Sequence, residues 1–361
     1  MSGGADTHSD VELDVGRRAW PVTGLERVLV CPVCGCDRRS PVYRNLTDRV
    51  FFCAPGSWDM HRCEQCGSHY LDPRPDPRTV HLAYARYFTH AEASSAAAQA
   101  ARSGLEKLRR SCANGYRNWR YGTHDRPATA LGVAVALLFP RLRHMADVGM
   151  RYLPRASSGR RLLDVGAGNG AFLLQARSAG WEVVGIEPDS AAVEAARLAG
   201  LDVRPGGIQC LANEPESVDV ITINHVIEHV HDPRAVLSEA FRLLRSGGVL
   251  YLDTPNVDSY GHRRFGCHWR GLEPPRHLVL FSWNSLERLL GEVGFGDVKR
   301  LPRPGVYPAL SAKSRAIARG TDPETIPKSP PLVGALDALS EMRTLFNYRR
   351  REYITLLAVK R

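Results

Sequence analysis

The sequence of 361 residues contains no apolar run long enough to span a membrane. The longest, Ala128 to Phe139, has about twelve residues including a glycine, whereas a membrane helix needs about 20. The first fourteen residues are polar and acidic, without the apolar segment of a secretory signal peptide. We therefore expect a cytoplasmic protein. Because the cytoplasm keeps thiols reduced, its nine cysteines require an explanation other than disulfides.

Acidic residues are scarce relative to basic ones, and the deficit is local. The formal net charge is +10, from 48 Lys and Arg against 38 Asp and Glu. Between Arg102 and Arg161 there are thirteen basic residues and three acidic ones. This imbalance favours anionic partners. A solvated arginine-rich helical surface, a phosphate site and an anionic-membrane site all fit the pattern.

Four of the cysteines form two Cys-x-x-Cys-Gly sequences. These residues are Cys31, Cys34, Cys63 and Cys66. Each sequence is a tight turn that points two thiolates at one centre, and four sulfurs suit tetrahedral zinc. A redox role explains neither the second pair nor the glycines. We predict a zinc ribbon over residues 25–79 with a structural metal, and a hairpin between Val42-Tyr43 and Val50-Phe52.

The segments on either side of the ribbon have different patterns. Residues 1–24 lack periodicity, which predicts a disordered tail. Residues 80–155 have a helical, Ala- and Arg-rich pattern that predicts a linker or lid, interrupted between Tyr121 and Pro127. The aromatic residues of this segment either form a substrate-facing lid or pack against the next domain. They are Tyr116, Trp119 and Tyr121.

A glycine-rich turn follows the first apolar strand of the next region. Leu162 to Val165 precede Gly166-Ala-Gly-Asn-Gly170, and a helix is predicted from Ala171. A strand, a turn without side chains and a helix N-terminus form the mouth of a nucleotide-type cofactor site. The spacing differs from the Gly-x-Gly-x-x-Gly of dinucleotide binders. Trp181 to Glu187 is a second strand, whose terminal carboxylate is placed to accept hydrogen bonds from both ribose hydroxyls.

These two strands resemble motif I and the acidic second motif of class I S-adenosylmethionine-dependent methyltransferases. Matches from Ser217 to His225 and from Arg245 to Leu252 follow in the same order, and the resemblance covers about 156–300. It implies a Rossmann-like α/β methyltransferase domain over 156–361 that binds S-adenosylmethionine. The implied cofactor-binding residues are Asp164, Gly166, Gly168, Gly170, Glu187 and Asn224.

Strand and helix patterns alternate through this domain and predict a parallel sheet. The expected strands are 161–165, 182–187, 201–204, 218–224, 248–254 and a hairpin-forming last strand at 353–359. Asp232 and Ser282 are predicted to cap two of the helices. Residues 302–340 form a proline-broken insertion to which the sequence assigns no role.

The fourth predicted strand ends in His225-Val-Ile-Glu228-His229. This resembles the Glu-x-x-Glu-His of ubiquinone-pathway O-methyltransferases and small-RNA 2′-O-methyltransferases, where these residues bind a divalent cation near the acceptor hydroxyl. His225 replaces the first Glu, which weakens a site for Mg²⁺ but suits a softer ion. Three interpretations stay open: hydrogen bonding that supports the cofactor loop, a general base from His225 or His229, and a metal site.

The loop from Val257 to Phe281 follows the fifth strand, and loops of this length are usually functional. Its Glu273-Pro-Pro-Arg276-His277 resembles a stretch in bacterial methyltransferases that pair a zinc ribbon with this core. Several of these are associated with polysaccharide, deoxysugar or secondary-metabolite biosynthesis. His277 is a further base candidate. Arg270 and Arg276 either bind a diphosphate or carboxylate of the acceptor, or Arg276 and Glu273 only fix the loop.

The sequence therefore predicts methyl transfer from S-adenosylmethionine to a hydroxyl of a small-molecule or glycan-type acceptor, with anionic acceptors favoured by the arginines. The candidate catalytic residues are His229, His277, His225 and Glu228. One alternative is an RNA methyltransferase that binds phosphates through the ribbon and the basic helices, although the fourth strand lacks an Asn-Pro-Pro-Tyr type of motif. Methylation of carbon or nitrogen in a secondary metabolite is another alternative. A non-catalytic scaffold is a third, and the intact Asp164, glycines and Glu187 argue against it.

Overall fold

The computed structural model describes residues 19–84, 104–325 and 329–361. The strands are β1 (Leu25–Glu26), β2 (Arg39–Leu46), β3 (Trp58–Cys63), β4 (His69–Leu71), β5 (Arg74–Pro75), β6 (Arg161–Val165), β7 (Glu182–Glu187), β8 (Asp202–Pro205), β9 (Val218–Asn224), β10 (Leu244–Pro255), β11 (Val279–Leu280), β12 (Phe295–Arg300) and β13 (Tyr353–Lys360). The helices are α1 (Gly104–Tyr121), α2 (Leu131–Leu138), α3 (Pro140–Gly149), α4 (Ala171–Ser178), α5 (Ser190–Leu198), α6 (Pro233–Leu243), α7 (Tyr260–Phe265), α8 (Trp283–Val293), α9 (Tyr307–Ala318) and α10 (Pro331–Phe346). None of the helices in these ranges is long and apolar enough to cross a membrane.

The central sheet has seven strands in the order β12-β13-β10-β9-β6-β7-β8. The five strands from β6 to β10 pair in parallel, and β13 lies antiparallel between β10 and β12. The Rossmann-like α/β class predicted from the sequence is confirmed. The sequence did not predict β12, because Phe295–Arg300 is a largely solvated edge strand without a continuous apolar run.

Helices cover both faces of the sheet. Leu173 in α4 and Val193 in α5 pack on one face, and Leu237 in α6 and Leu286 in α8 pack on the other. Asp232 caps α6 by accepting a hydrogen bond from the Ala235 N–H at 2.9 Å. Ser282 caps α8 in a capping box. Both predicted caps are therefore present. Their side chains accept hydrogen bonds from backbone N–H groups in the first turn, which fixes where each helix begins.

The helical segment before the α/β domain packs against the α4 and α5 face. Tyr116 and Tyr121 are buried, and their hydroxyls donate to Asp147 Oδ1 at 2.9 and 2.6 Å. The packing alternative therefore holds for these two tyrosines, whereas the Trp119 ring is exposed. Part of the predicted helical segment, residues 85–103, lies outside the described residues.

The ribbon shares a sheet with the α/β domain. Its four strands have the order β11-β4-β3-β2, and β11 comes from the loop after β10. Val42-Tyr43 lie in β2 as predicted, but β2 pairs with β3 and not with Val50-Phe52, so that part of the hairpin prediction is wrong. Val50-Phe52 instead lie in a turn whose backbone N–H groups are held by the Asp48 carboxylate.

The start of the ribbon also differs from the expected boundary. Trp20 is buried and packs edge-on against Trp58, with ring centroids 5.2 Å apart. The ordered ribbon therefore includes residues before position 25. Residues 1–18 of the predicted tail lie outside the described residues.

Candidate active site

Four cysteines converge at one end of the ribbon. Cys31 Sγ lies 3.6 Å from Cys66 Sγ, and Cys34 Sγ lies 3.5 Å from Cys63 Sγ. All four sulfurs fall within 4.8 Å of one another. Zinc–sulfur bonds of about 2.3 Å in a tetrahedron require sulfurs about 3.8 Å apart, so the residues fit a zinc ion. The hydrogen bond to Cys66 and burial raise the pKa of the Cys31 thiol.

Two of the predicted turns explain this convergence. The Gly35 N–H donates to Cys31 O at 2.9 Å and the Gly67 N–H donates to Cys63 O at 3.0 Å. Both glycines have left-handed backbones, with φ of 72° and 77°, which residues with a Cβ rarely adopt. Cys36 and Cys53 lie outside the cluster, and their thiols face the backbone oxygens of Arg38 and Ala83.

The glycine-rich turn and the second acidic strand meet at the carboxyl edge of the sheet. Glu187 Oε2 accepts a hydrogen bond from the Gly168 N–H at 2.8 Å. Gly166 and Gly170 have positive φ, and a Cβ on Gly166 would come within 2.4 Å of Val226 Cγ2. Burial raises the pKa of the Glu187 carboxyl, an effect that hydrogen-bond donors oppose. The turn and the carboxylate are therefore positioned together, as a ribose site requires.

Asp164 is fully buried on β6 and forms an ion pair with Arg151, which the sequence analysis missed. Its Oδ1 accepts hydrogen bonds from Arg151 Nη1 and from Thr222 Oγ1, the latter at 2.8 Å. The Arg151 guanidinium also stacks 3.6 Å above the Phe172 ring. Burial raises the pKa of Asp164, while the Arg151 charge acts in the opposite direction. Asp164 Oδ2 is buried without a hydrogen-bond partner among the described residues, which leaves an acceptor for a donor on a bound cofactor.

The His- and Glu-rich sequence after β9 forms a compact cluster with the loop that follows β10. Ring nitrogens of His229 and His277 and a carboxylate oxygen of Glu228 lie within 4.8 Å of one another. The two imidazole centroids are 4.8 Å apart. His225 binds Glu228 Oε1 through Nδ1 at 3.2 Å, and its ring packs edge-on against Tyr353. The tertiary fold thus places His277 beside both His229 and Glu228, whereas His225 contacts Glu228.

Hydrogen bonds orient both rings of this pair. The Nδ1 atom of His277 lies 2.8 Å from Gly271 O, and that of His229 lies 3.0 Å from Arg276 O. In each ring Nδ1 carries the proton toward the carbonyl, which leaves Nε2 with a lone pair. Burial lowers the pKa of His277 to about 4. Although burial opposes it, the His225 hydrogen bond and the imidazoles of His229 and His277 lower the pKa of Glu228 to about 2.

A cavity of about 640 Å³ joins these groups to the glycine-rich turn after β6. Gly168 and Asn169 line it on one side, and the imidazoles of His225, His229 and His277 line it on another. Cavities of about 300–1,000 Å³ hold small ligands. Asn224 ends β9 and Glu228 is fully buried, and neither is among the lining residues.

Cationic side chains from two segments also line the cavity. They are Arg270, Arg303 and Lys313. Arg303 and Lys313 belong to the segment after residue 302, so this insertion forms one wall of the cavity. No sequence motif signalled that role.

Arg276 has a structural position. Its guanidinium donates to Asp48 Oδ1 at 2.8 Å and to Glu273 Oε1 at 3.1 Å, and it stacks 3.9 Å from the Phe51 ring. The Arg276 and Asp48 side chains are each 1% exposed. Arg276 therefore fixes the loop after β10, as the second of the two interpretations from the sequence proposed. This ion pair joins the ribbon to the loop, and Phe51 of the ribbon lines the cavity.

Comparisons with known proteins agree with this geometry. Residues 139–299 match a family described as a methyltransferase domain. A ubiquinone biosynthesis O-methyltransferase of Hahella chejuensis is 39% identical over 108 residues, which is 28% of this chain and 45% of that protein. A probable S-adenosylmethionine-dependent methyltransferase of Mycolicibacterium smegmatis is 36% identical over 112 residues, or 30% of this chain and 44% of that protein. The matched stretch thus spans less than half of these curated relatives.

Solved structures with a similar fold include a SAM-dependent methyltransferase from Archaeoglobus fulgidus. It is 21% identical, with a TM-score of 0.42, and the match covers 62% of this chain and 93% of that one.

Proposed function

Because the chain carries a class I S-adenosylmethionine-dependent methyltransferase domain, we propose that it methylates a hydroxyl of a small anionic molecule. The observation that carries this proposal is the cavity that contains both the cofactor turn and a pair of oriented imidazoles. The names of the ubiquinone biosynthesis O-methyltransferase relatives support oxygen as the methylated atom.

The cofactor would be held by the residues at the carboxyl edge of the sheet. Glu187 would accept hydrogen bonds from the ribose hydroxyls, and the turn from Gly166 to Gly170 would let the cofactor approach the backbone closely. Asp164 with Arg151 would bind the amino-acid end of the cofactor. S-adenosylmethionine supplies a methyl group that is already activated on its sulfonium. The chain therefore needs to align the acceptor and accept its proton.

His229 is our proposed general base. Its Nδ1 is held by Arg276 O, and the Tyr84 hydroxyl lies 3.1 Å from the same nitrogen. This arrangement leaves Nε2 as the nitrogen that can take a proton from an acceptor in the cavity. His277 is the second candidate, because its ring lines the same cavity and its Nδ1 is held by Gly271 O.

The acceptor should carry an anionic group, because Arg270, Arg303 and Lys313 line the cavity and most of their acidic partners do not. Arg303 pairs with the fully buried Asp253 and stacks 4.3 Å from Tyr353. Lys313 Nζ lies 2.7 Å from Glu324, which is not a lining residue. Glu273 is the one carboxylate among the lining residues, and Arg270, Arg276 and His277 surround it.

We further propose that the four-cysteine cluster holds one zinc ion with a structural role. Four thiolates would fill the tetrahedral positions and leave none open to a substrate. The ribbon would then act through its contacts with the loop after β10, and not through metal chemistry.

The proposed function is tested by measuring S-adenosylhomocysteine formed from a panel of acceptors: phenols, hydroxy acids, sugar nucleotides and total RNA. We expect turnover with small anionic hydroxyl compounds. His229→Asn should lower kcat by about 10²–10⁴ while S-adenosylhomocysteine affinity stays unchanged. His124→Asn, at an exposed position outside the cavity, is the matched control.

Other outcomes would redirect the proposal. Turnover with RNA alone would favour the nucleic-acid alternative. If added divalent metal increases the rate and the Glu228→Gln variant loses that response, the cluster of Glu228, His229 and His277 acts through a cation. Sugar-nucleotide turnover would identify a glycan-type acceptor.

Recognition of the acceptor charge has its own test. Lys313→Gln should raise the KM for the acceptor at least tenfold, because it removes one cation from the cavity wall, while S-adenosylhomocysteine affinity stays the same. Arg319→Gln, at the exposed end of the same helical segment, is the control. Equal KM values for these two variants would refute an anionic acceptor bound at this wall.

A further inference from the structure

Large apolar side chains are concentrated on one part of the surface. Of the eighteen exposed large hydrophobic residues among those described, nine lie on α1–α3 or at the corner between α2 and α3, and four lie on α10. The nine are Leu105, Leu108, Trp119, Leu131, Leu137, Leu138, Phe139, Leu142 and Met145. Apolar exposure clustered in this way marks an interaction surface more often than scattered single residues do.

The corner between α2 and α3 is the most exposed part of this cluster. Leu137, Leu138 and Phe139 are consecutive and are 57%, 74% and 57% exposed. Three neighbouring apolar side chains cannot all face the core from a helix end, so they project as a wedge. The helix α2 itself contains no charged residue.

An open apolar cavity lies beside this wedge. It has a volume of about 670 Å³ and lies between α1, α2 and α3. Leu108, Leu131, Val135, Leu142 and Met145 are among its lining residues. The surface therefore offers both a protruding apolar corner and an apolar recess.

Basic residues accompany this apolar surface. Residues 104–149 contain eight Lys and Arg against three acids. Of the acids, Asp147 is buried and accepts hydrogen bonds from two tyrosine hydroxyls, and Asp125 pairs with Arg117. The third, Glu106, lines the apolar cavity. Arg109 and Arg110 line the apolar cavity. An apolar centre with a cationic rim matches a bilayer that presents acyl chains below anionic headgroups.

A second copy of this chain would be a poorer partner. Face-to-face association would bring two cationic rims together, and like charges across an interface oppose binding.

A membrane-spanning arrangement is also ruled out for α2, because eight residues are about 12 Å long against a hydrocarbon core of about 30 Å. The helix can lie at the headgroup boundary but cannot cross it.

We propose that the wedge of Leu137, Leu138 and Phe139, together with the basic side chains of α1–α3, docks the protein on an anionic lipid bilayer. The inference rests on the exposed apolar corner and its charge, and it does not depend on the identity of the methyl acceptor.

The test is flotation of the full chain with vesicles of phosphatidylcholine alone or mixed with phosphatidylglycerol. We expect binding to the mixed vesicles that weakens as salt rises, because headgroup attraction is screened. The double variant Leu138→Ser, Phe139→Ser should bind at least tenfold more weakly. Replacing Arg110 by Gln should cost about fivefold.

Leu198→Ser is the matched control, because Leu198 is another exposed leucine but lies on α5. Thermal unfolding confirms that each variant is folded. Several results would overturn the proposal: no binding of the wild type to mixed vesicles at low salt, equal binding to both vesicle types, or equal loss in the Leu198 control. Binding to polyglutamate without vesicle binding would replace the bilayer by an acidic protein. A dimer that the wedge variant abolishes, again without vesicle binding, would replace it by a second copy.

Discussion

At the scale of single residues, Glu187 gives the most direct test of the cofactor site. Glu187→Gln keeps the size of the side chain but removes the charge that would bind the ribose. A hydrogen bond to a charged group contributes about 1.5–3 kcal/mol, so we expect S-adenosylhomocysteine affinity to fall about ten- to a hundredfold by calorimetry. Glu194→Gln, on the exposed face of α5, is the control. Equal affinities for the two variants would show that the ribose does not bind Glu187.

Glu352 is a buried acid with a predictable effect on stability. It accepts hydrogen bonds from the Gly261 N–H at 2.7 Å and from Trp269 Nε1 at 2.9 Å. Burial nevertheless raises its pKa to about 7. The folded pKa lies above the unfolded value of about 4.3, so the protonated Glu352 carboxyl favours the folded state. This contribution to stability is complete below about pH 4.3 and is lost as pH rises through about 7.

Urea unfolding across this pH range measures the effect. Ionisation of this group should lower the free energy of unfolding of the wild type by up to about 4 kcal/mol, since each pKa unit corresponds to about 1.4 kcal/mol. Glu352→Gln cannot ionise and should lose that part of the pH dependence. The same slope in both proteins would mean that Glu352 titrates at an ordinary pKa when folded.

At the scale of elements, the turn from Asp48 to Ala54 connects the ribbon to the cavity that we propose binds the acceptor. Asp48 accepts hydrogen bonds from the backbone N–H groups of Val50, Phe51, Cys53 and Ala54, and it also binds Arg276. Phe51 then lines the cavity. A turn of the ribbon thereby supplies part of the cavity wall.

Asp48→Asn should therefore affect acceptor binding more than cofactor binding. Loss of the charge beside a buried guanidinium should destabilise the fold by about 3–5 kcal/mol. It should also raise the KM for the acceptor, while S-adenosylhomocysteine affinity stays unchanged in the folded fraction. Asp59→Asn removes a half-buried acid that binds the Asn45 N–H and serves as the control. Equal losses of acceptor and cofactor binding would show that the turn supports folding alone.

At the scale of the whole molecule, the ribbon and the α/β domain share one core. Cys31, Cys63 and Tyr70 belong to the same buried cluster as Leu278, Val279 and strands of the central sheet. The pairing of β11 with β4 adds backbone hydrogen bonds between the two parts. Loss of the proposed zinc ion should therefore destabilise more than the ribbon.

Cys63→Ser should remove the metal and lower the melting temperature of the entire chain. Metal analysis and calorimetry measure the two effects, and Cys210→Ser is the control at an exposed position. We expect one cooperative transition that shifts as a unit. A variant whose methyltransferase domain melts unchanged would show that the two parts fold independently, and a folded wild type without metal would refute the zinc site.

The sequence by itself determined the features that depend on local chain chemistry. The apolar runs of β6, β7 and β9, the positive-φ glycines after β6 and the caps at Asp232 and Ser282 are all specified by residues a few positions apart. The two Cys-x-x-Cys-Gly turns are local in the same sense. Because backbone preference and side-chain periodicity act over short distances, a single sequence was enough to predict them.

Only the tertiary structure decided which distant side chains meet. His277 lies beside His229 and Glu228, and Arg276 binds Asp48 and does not line the cavity. Arg303 and Lys313 reach the cavity from a segment with no recognisable motif. Each of these contacts joins residues far apart in the chain, so loop paths and packing fix them, and no local preference records them.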